Sequence, residues 1–477
     1  MAQSKFARWA ALLSALALIA AACTVAAPTE TATPAAPATD APATDAPATA
    51  APATDAPATA APEPGGEPTS INLWRYFNEC ASQFEGVTEI TDTADVCAIQ
   101  QILANSWNAA NSDLQVETTS LVWPGIVELN SALAAGTPPE LFTLHAFRIP
   151  GYASRGILTP LTSYFEEAGI DVNDMLPSVR EAVTYNDEIY ALPFDIHGIL
   201  WHLNLDLWEQ AGLVDESGPP IIPVGHAEFE EACQKVQEAT GSPIFGAGDD
   251  DVAATAWIWY TLLNQAGGSA VDEAGMPNVN TPESVEALNT QIALRSDDCI
   301  GSGERGSTFE GFVNGDVASV VGGTWMVNEW EAQVNDPNAP LKNYYVAPLP
   351  QIGPQPANWA GSHTYVVPLG ANADPDRVRA AVRYLKYFWD RNLDWTLTGH
   401  ATVRQSIADS AEYQSLPHRG EYLGFGDSAV YNPSTAWSVG FDQIMHEEVQ
   451  AALLGQKTPE QALADAQARL MDVATFQ

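Results

Sequence analysis

Residues 309–325 read Phe-Glu-Gly-Phe-Val-Asn-Gly-Asp-Val-Ala-Ser-Val-Val-Gly-Gly-Thr-Trp. The Asn-Gly-Asp triplet at 314–316 is typical of a turn, and the β-branched run that follows predicts a short buried strand over Val317 to Val321. The glycine pair after this run leaves room for a ligand or another backbone to come close. The stretch therefore predicts a strand that presents Trp325 at the mouth of a cleft. Taken alone, Trp325 could equally be an indole that fills a core.

Apolar residues that alternate, or that recur with helical spacing, divide the rest of the chain into strands and helices. Three helix starts are marked by a capping residue, a proline at the first helical position and an acid behind it, at Thr281, Asp374 and Thr458. Another helix carries Trp257 and Trp259, which cannot share a face, so one is expected in the core and one in a cleft. The other predicted elements are strands at 71–77, 114–121 and 199–203 and helices at 98–108, 126–135, 205–211 and 252–263.

Further segments carry a recognisable pattern in a fixed order along the chain. They are 134–142 (Ala-Ala-Gly-Thr-Pro-Pro-Glu-Leu-Phe), 156–161 (Gly-Ile-Leu-Thr-Pro-Leu), 189–195 (Ile-Tyr-Ala-Leu-Pro-Phe-Asp), 359–368 (Trp-Ala-Gly-Ser-His-Thr-Tyr-Val-Val-Pro) and 399–404 (Gly-His-Ala-Thr-Val-Arg). With the stretch at 309–325, this series resembles the extracellular solute-binding proteins of family 1, the sugar-capturing subunits of ABC importers. The chain departs from the family pattern at Glu140, where aspartate is usual, and at Thr402, where proline is usual.

The resemblance implies an α/β fold of the periplasmic-binding-protein kind (maltose-binding-protein-like, type II), with two lobes and a hinged cleft between them. It implies that lobe one contains residues 70–194 and 308–360, and that lobe two contains residues 195–307 and 361–477. A ligand would enter between the lobes and bridge them, and the closed form would dock on a membrane permease.

The resemblance and the chemistry of sugars together nominate ligand-binding side chains. A sugar ring has an apolar face that stacks on indoles, and its hydroxyls need carboxylates, amides or a guanidinium. For His145 and Phe147, ordinary loop packing is an equally good interpretation. The nominated residues are Trp74, Arg75, Trp123, His145, Phe147, Asp195, His197, Trp257, Trp325, Trp359, Ser362, His363 and Arg404. No catalytic residue, metal or cofactor is expected.

The charge balance limits the possible partners. The chain of 477 residues has 60 acidic and 19 basic residues, for a formal net charge of -41. Such a surface repels phosphates, which excludes nucleic acid and anionic membrane surfaces as partners. The length exceeds what a single core usually holds, in agreement with two lobes.

The N-terminus predicts export. Lys5 and Arg8 precede an apolar run over 9–22 that is too short for a membrane span and is flanked as a secretory signal is. The run ends Ile-Ala-Ala-Ala-Cys, which resembles a bacterial lipoprotein signal, so residues 1–22 are predicted to be the signal peptide and Cys23 the lipidated residue. Residues 23–69, rich in Ala, Pro, Thr and Asp, are predicted to be a disordered stalk.

Four cysteines follow Cys23, and an even number in an exported protein favours two disulfides. A bond between Cys80 and Cys97 would close a short loop just after the first strand. Cys233 and Cys299 would then form the second bond. A zinc site made of these cysteines is disfavoured, because no Cys-x-x-Cys pair or nearby pair of histidines accompanies them.

The sequence thus favours a monomeric, non-enzymatic binding protein that captures a carbohydrate, an oligosaccharide rather than a single sugar, and delivers it to the transmembrane subunits of an ABC permease. It would work outside the cytoplasm, anchored by lipid to the outer face of the cytoplasmic membrane. Two alternatives stay open. One is a tethered secreted enzyme that cleaves glycans with two carboxylates, and the other is the same binding fold with a polyamine or a glycerol phosphate ester as its ligand.

Overall fold

The computed structural model describes residues 69–476, apart from 78–79, 92–94, 247, 249, 297–298, 302 and 423–424. The predicted signal peptide, Cys23 and all but the last residue of the predicted stalk lie outside the described residues. Within the described part of the chain, no helix is both long enough and apolar enough to cross a membrane.

Short strands and helices alternate along the chain, which makes this an α/β protein. The strands are β1 (Ser70–Arg75), β2 (Gln115–Ser120), β3 (Leu141–His145), β4 (Thr184–Tyr185), β5 (Glu188–Ile189), β6 (Ala191–Pro193), β7 (His197–Asn204), β8 (Phe245–Gly246), β9 (Ile300–Gly301), β10 (Ser319–Gly323), β11 (Tyr344–Pro348), β12 (Asn358–Gly361), β13 (His363–Val366) and β14 (Ala429–Tyr431).

Helices connect most of these strands. They are α1 (Val96–Ala110), α2 (Ile126–Ala135), α3 (Ile149–Ala153), α4 (Thr162–Ala168), α5 (Pro177–Ala182), α6 (Leu205–Gln210), α7 (His226–Thr240), α8 (Val252–Gln265), α9 (Pro282–Ser296), α10 (Arg305–Asn314), α11 (Val327–Asn335), α12 (Pro375–Asp390), α13 (Asn392–Thr396), α14 (Gln405–Ala408), α15 (Ala411–Gln414), α16 (Phe425–Ser428), α17 (Phe441–Leu453) and α18 (Pro459–Thr475). Short 3-10 turns lie at Ala81–Phe84, Ala146–Arg148, Val172–Asp174, Thr324–Met326 and Ala436–Gly440.

Two sheets carry the fold. Sheet I has the strand order β2-β1-β3-β13-β6, and β1, β2 and β3 in it are parallel. Sheet II has the order β14-β12-β7-β10-β8-β9, with β11 also paired to β7. In sheet II the long β7 runs antiparallel to β10, β11 and β12. The small β4–β5 ladder stands apart from both sheets.

The chain leaves sheet I after Pro193 and enters sheet II at His197, then leaves sheet II after Gly361 and returns to sheet I at His363. The predicted allocation of the later segments is wrong. Residues 308–360 were expected in lobe one, yet β10, β11 and β12 all pair with β7 of sheet II. Residues 361–477 were expected in lobe two, yet β13 pairs with β3 and β6 of sheet I. The physical reason is pairing, because the long central β7 offers both of its edges to β10, β11 and β12.

The stretch 309–325 contains the predicted turn and a buried strand, but the strand lies two residues later than predicted and includes the glycine pair. α10 ends at Asn314, and Gly315 follows with a φ of 82°, a left-handed conformation that favours glycine. β10 begins at Ser319 and is buried throughout. A Cβ on Gly323 would lie 2.3 Å from the ring of Trp325, so this glycine makes room for the protein's own indole.

The predicted helix starts are also confirmed. α9, α12 and α18 all begin at the expected prolines, and the side chains of Asp374 and Thr458 accept hydrogen bonds from Asp376 and Gln461 backbone N–H groups. The Trp pair of α8 divides as predicted. Trp259 is fully buried in the core of sheet II, whereas Trp257 is only partly buried.

Two disulfides join the predicted cysteine pairs. Cys80 bonds to Cys97, with Cα atoms 5.9 Å apart, and this bond ties the segment after β1 to the start of α1. Cys233 of α7 bonds to Cys299, just before β9, with Cα atoms 5.5 Å apart. The second bond joins two segments that are 66 residues apart in the sequence, so it closes the larger loop.

Candidate functional site

A pocket of about 140 Å³ lies where the two sheets meet. Residues that follow the carboxyl ends of β1, β2 and β3 line one side of it, which is where ligands of open α/β sheets bind. β7, β10, β12 and helices α8 and α17 contribute the other side. The lining residues are Phe77, Trp123, His145, Phe147, His197, Trp257, Trp325, Trp359, His363, His400, Asn432, Asp442 and His446.

Indole rings form the wall of the pocket on the side of sheet II. Trp257 stacks on Trp359 with ring centroids 4.0 Å apart and planes inclined by 13°. Trp325 stands nearly perpendicular to Trp257, at 6.2 Å and 75°. Trp123 lies on the opposite side with 48% of its surface exposed, and its ring meets His145 edge-on. The pocket therefore offers flat apolar surfaces in more than one orientation.

Histidines form the base of the pocket around one buried carboxylate. Asp195 is fully buried, and its Oδ1 accepts from Nδ1 of His197 at 3.0 Å and from the backbone N–H of His363 at 3.0 Å. Nδ1 of His363 lies 2.8 Å from Oδ2, which also accepts from the indole N–H of Trp395 at 3.0 Å. Asp195 therefore fixes the orientation of two imidazole rings, which lie 4.0 Å apart and nearly parallel.

Charges at the base are set by burial and by these contacts. Burial opposes the ionisation of Asp195, but His363, His400 and the hydrogen bonds outweigh it and hold the pKa of this carboxyl well below its usual range. Burial lowers the pKa of His197 to about 4 and that of His400 to about 3. Near neutral pH the base thus combines one carboxylate with neutral rings at His197 and His400.

A polar link closes the side of the pocket near α17. Asn432 accepts a hydrogen bond from the indole N–H of Trp359 at 2.9 Å and donates one to Asp442 at 2.6 Å. Asp442 also pairs with Arg148, which follows sheet I, at 3.3 Å. Burial raises the pKa of the Asp442 carboxyl, although Arg148 opposes that rise. The link holds Trp359 in place and joins the two sides of the pocket.

The structure brings most of the nominated residues together. Eight of them line the pocket, and Asp195 lies directly behind its base. Among the five nominated tryptophans, only Trp74 lies elsewhere. The nominated residues that line the pocket are Trp123, His145, Phe147, His197, Trp257, Trp325, Trp359 and His363.

Arg75 and Arg404 were both nominated, but the structure places them outside the pocket lining. Arg75 is fully buried and donates to the side-chain amide oxygens of Gln100 and Gln101 at 3.0 and 2.6 Å. Arg404 donates to Asp174 at 2.7 Å and to a backbone carbonyl. Both guanidinium groups therefore satisfy acceptors of the protein itself.

Trp74 and Ser362 are also absent from the lining. Trp74 packs against the core of sheet I, and the pocket is reached three residues later, by Phe77. Phe77 adopts a left-handed backbone with a φ of 63°, which is uncommon for a bulky residue and often marks a functional site. The Ser362 hydroxyl is buried and bonds to the adjacent backbone carbonyl.

Sequence reasoning missed Phe77, His400, Asn432, Asp442 and His446 as lining residues. His400 stands inside a segment that carried the family resemblance, so its place next to Gly399 was a usable signal. His446 lies outside every segment that carried the resemblance. For Asn432 and Asp442 no motif in the sequence marks a site. Asn432 follows β14, which pairs with β12, and Asp442 lies in the first turn of α17.

Residues 91–387 match the model of the bacterial extracellular solute-binding protein family. The diacetylchitobiose binding protein DasA of Streptomyces coelicolor is 24% identical over 214 residues, which are 42% of this chain and 46% of DasA. The mannitol-binding protein of Pseudomonas aeruginosa is 27% identical over 156 residues, 32% of this chain and 34% of that protein. The chain thus matches less than half the length of these curated relatives.

Solved structures with the same fold cover more of the chain. The GacH receptor of Streptomyces glaucescens superposes with a TM-score of 0.70 at 20% identity, covering 85% of this chain and 98% of GacH. The sugar-binding protein MalE of Xanthomonas citri gives 0.68 at 18% identity, with 85% and 97% covered. These likenesses show the two-lobed α/β fold of maltose-binding protein. Since the family model matches well over half of the chain, this protein belongs to the bacterial extracellular solute-binding protein family.

Proposed function

We propose that the protein captures a carbohydrate in the pocket between the two sheets and delivers it to an ABC permease. The observation that carries this proposal is the set of four tryptophans around the pocket, because flat apolar surfaces in several orientations suit the faces of sugar rings. Relatives support it, since DasA is named for diacetylchitobiose and another relative for mannitol. The relatives are named as binding proteins and not as enzymes.

The size of the pocket bears on the length of the sugar. A volume of about 140 Å³ is below the roughly 300–1,000 Å³ of most ligand clefts, so the arrangement seen here suits a single ring at the base. An oligosaccharide would extend past the exposed Trp123 or would require the lobes to stand further apart. We therefore expect one sugar residue to make most of the contacts.

The charges of the lining favour a sugar over the two other ligand classes. Among the described lining residues there is no lysine or arginine, which a phosphate ester would require. The carboxylate of Asp442 is paired with Arg148, and that of Asp195 is enclosed by histidines, so neither is free to bind a polyamine. A neutral ligand that accepts stacking and a few hydrogen bonds fits this lining.

The same residues weigh against glycan cleavage. Glycoside hydrolysis needs two carboxyl groups that flank the scissile bond. Asp442 is the only carboxylate in the described lining, and Asp195 lies behind the imidazole rings rather than in the pocket. We infer that the protein binds its ligand without changing it.

The location of the protein follows from the family, whose members are extracellular. We propose in addition that Cys23 carries a lipid, that the segment after it is a tether, and that the protein works as a monomer next to its permease. Radiolabelled palmitate incorporated into the full chain, and lost from a Cys23→Ala variant, would support the anchor. Equal incorporation in both proteins would contradict it.

A thermal-shift panel of the full chain tests the ligand class. A ligand at about 100 times its Kd should stabilise the fold by about 2.7 kcal/mol, which is readily measured. We expect hits among mono- and disaccharides and no product after prolonged incubation. A shift from polyamines or glycerol phosphates alone would overturn the carbohydrate, and release of shorter sugars would overturn the binding-protein assignment.

A further inference from the structure

Three buried histidines at the base of the pocket bring side-chain nitrogens close to one another. His145 ends β3, His363 begins the strand paired to it, and His197 begins β7 of the other sheet. All three are at most 9% exposed, and one ligating atom from each lies within 4.8 Å of the other two. The two sheets therefore converge on one point through imidazole rings.

The other nitrogen of each ring is already engaged. Nδ1 of His197 and of His363 bond to Asp195, and Nδ1 of His145 lies 3.4 Å from the hydroxyl of Tyr76. Where Nδ1 of a neutral ring donates, Nε2 carries the lone pair. Because Asp195 occupies Nδ1 of His197 and of His363, Nε2 is the nitrogen that these two rings have left for a ligand.

A sugar hydroxyl cannot satisfy this arrangement, because one O–H group donates a single hydrogen bond. A cation can satisfy all three lone pairs at once. We propose that Nε2 of His145, His197 and His363 bind a divalent transition metal, with zinc as the best match. Neutral imidazoles are ordinary zinc ligands, and three of them leave a fourth position open toward the tryptophan-lined pocket.

The distances are compatible with zinc after a small movement. A tetrahedral zinc with bonds of about 2.1 Å places its ligand atoms about 3.4 Å apart. The donor atoms lie within 4.8 Å of one another, and the stacked rings of His197 and His363 have to turn toward a shared metal for the site to form. A Cβ on Gly361 would lie 2.5 Å from Nε2 of His197, and glycine at this position keeps that nitrogen free of a neighbouring side chain.

Asp195 has the position of the carboxylate that supports a histidine–zinc centre. Metal-binding histidines usually donate their second ring N–H to a carboxylate, which fixes the ring and strengthens the ligand. Asp195 receives such bonds from two of the three rings. Because its oxygens also accept from the backbone of His363 and from Trp395, we assign it to support and not to ligation.

The alternative set of Asp195, His363 and His400 is weaker, because Asp195 already accepts hydrogen bonds from the protein. The donor atoms of this set also lie within 4.8 Å of one another. Nε2 of His400 is buried without a hydrogen-bond partner in the described structure, but its Nδ1 bonds to Thr398 at 2.8 Å rather than to a carboxylate. The variants His145→Gln and His400→Gln distinguish the two sets. The inference concerns metal binding alone and does not depend on the proposed sugar.

The full chain is first stripped of metal with a chelator. It is then titrated with zinc, followed by calorimetry, and with cobalt, followed by absorption spectroscopy. Both titrations contain excess calcium to mask the acidic surface. We expect one zinc per chain and the intense visible bands of four-coordinate cobalt. His145→Gln, His197→Gln and His363→Gln should each weaken zinc roughly 100-fold or more, and Asp195→Asn roughly 10- to 100-fold. His226→Gln, at an exposed histidine of α7, should bind as the unaltered chain does.

Circular dichroism and thermal melting without metal show whether each variant folds. The cobalt spectrum of the unaltered chain tests the site even if a variant fails to fold. The absence of stoichiometric zinc in the unaltered chain would overturn the proposal. So would loss of zinc in His400→Gln with retention in His145→Gln, because that result would assign the metal to the alternative set. Equal loss in His226→Gln would show binding by surface histidines and would also overturn it.

Discussion

Arg148 and Asp442 join the two sides of the pocket, with Nη2 of the arginine 3.3 Å from Oδ2 of the aspartate. Arg148 follows β3 of sheet I, whereas Asp442 stands in the first turn of α17, which packs in the core of sheet II. Nη1 of Arg148 also donates to the carbonyl of Val439 at 3.2 Å. Both side chains are less than a fifth exposed, so water screens this contact only weakly.

Replacement of this arginine should favour an open arrangement of the lobes. Arg148→Gln removes the ion pair and leaves Asp442 buried without its partner, at a cost of about 2 kcal/mol to the closed form. We expect a larger radius of gyration by small-angle scattering without ligand, and weaker ligand binding. Arg155→Gln, on the exposed end of the same segment, is the control and should leave both quantities unchanged. Identical scattering of Arg148→Gln and the unaltered protein would contradict the role of the pair.

The indole wall makes a prediction about ligand affinity. Trp325→Leu removes a ring that faces the pocket, and we expect the Kd of the sugar found in the thermal-shift panel to rise roughly 10- to 100-fold. Trp74→Leu is the matched control, because this tryptophan is also partly buried but lies outside the pocket lining. Its Kd should remain unchanged even if its melting temperature falls. Calorimetry on both variants measures the difference, and a greater loss in Trp74→Leu would contradict the site.

The glycine pair that ends β10 allows a prediction about the packing of Trp325. A methyl group at Gly323 would meet the Trp325 ring at 2.3 Å, so Gly323→Ala must displace the ring at a cost of about 1–3 kcal/mol. We expect a lower melting temperature and a shifted tryptophan fluorescence maximum. Gly306→Ala serves as the control, since nothing lies within 4 Å of the added carbon in α10 and alanine favours a helix. A fluorescence spectrum unaltered by Gly323→Ala would show that the glycine does not position this indole.

The ion pairs of His418 make the free energy of unfolding depend on pH. Burial lowers its pKa, but Glu421 at 2.8 Å and Glu331 at 2.7 Å outweigh burial and raise it above the ordinary value of 6.5. The stabilisation is therefore complete below about pH 6.5 and is lost as the pH rises through the higher folded-state pKa. His418→Asn, chosen because asparagine tolerates the φ of 61° at this position, should cost about 1 kcal/mol in acid and less in base.

The measurement compares melting temperatures of His418→Asn and the unaltered protein at about pH 5.5 and about pH 8.5, so that the titration of other groups cancels. The gap between the two proteins should be larger at the lower pH. His226→Asn, which removes an exposed histidine paired with Glu230, should show little gap at either pH. A gap for His418→Asn that widens toward high pH would contradict the assignment of the charged pair.

Local chemistry made the helices predictable. A capping side chain followed by proline fixes where a helix begins, because these groups act on the first turn alone, and α9, α12 and α18 start accordingly. The division between Trp257 and Trp259 was predictable for the same reason, since helical geometry separates neighbours two residues apart. The allocation of β10, β11 and β12 was not, because the choice of sheet depends on contacts with β7 from more than a hundred residues away.

The candidate site was predictable where residue type and chain order agree. Tryptophans near strand ends were found because large aromatic residues at such places often face a cleft. Charge was misleading, because the sequence does not show whether a guanidinium binds a ligand or an acceptor of the protein. Arg404 was expected to bind a ligand, but it donates to Asp174. His145, His197 and His363 were all nominated for the cleft, but the approach of their ring nitrogens to within 4.8 Å of one another could not be predicted, because it depends on how the two sheets meet.

The return from sheet II to sheet I takes a single residue, Ser362, and side chains on either side of it, Trp359 and His363, both line the pocket. Under the proposed function, the backbone that would twist as the lobes move is thus flanked by two side chains that would touch the captured molecule. Over evolutionary time, exchange of Trp123 at the exposed mouth could retune ligand preference while leaving the motion as it is. Exchange of Trp359 or His363 would alter ligand preference and lobe motion together, so these two properties would have evolved jointly.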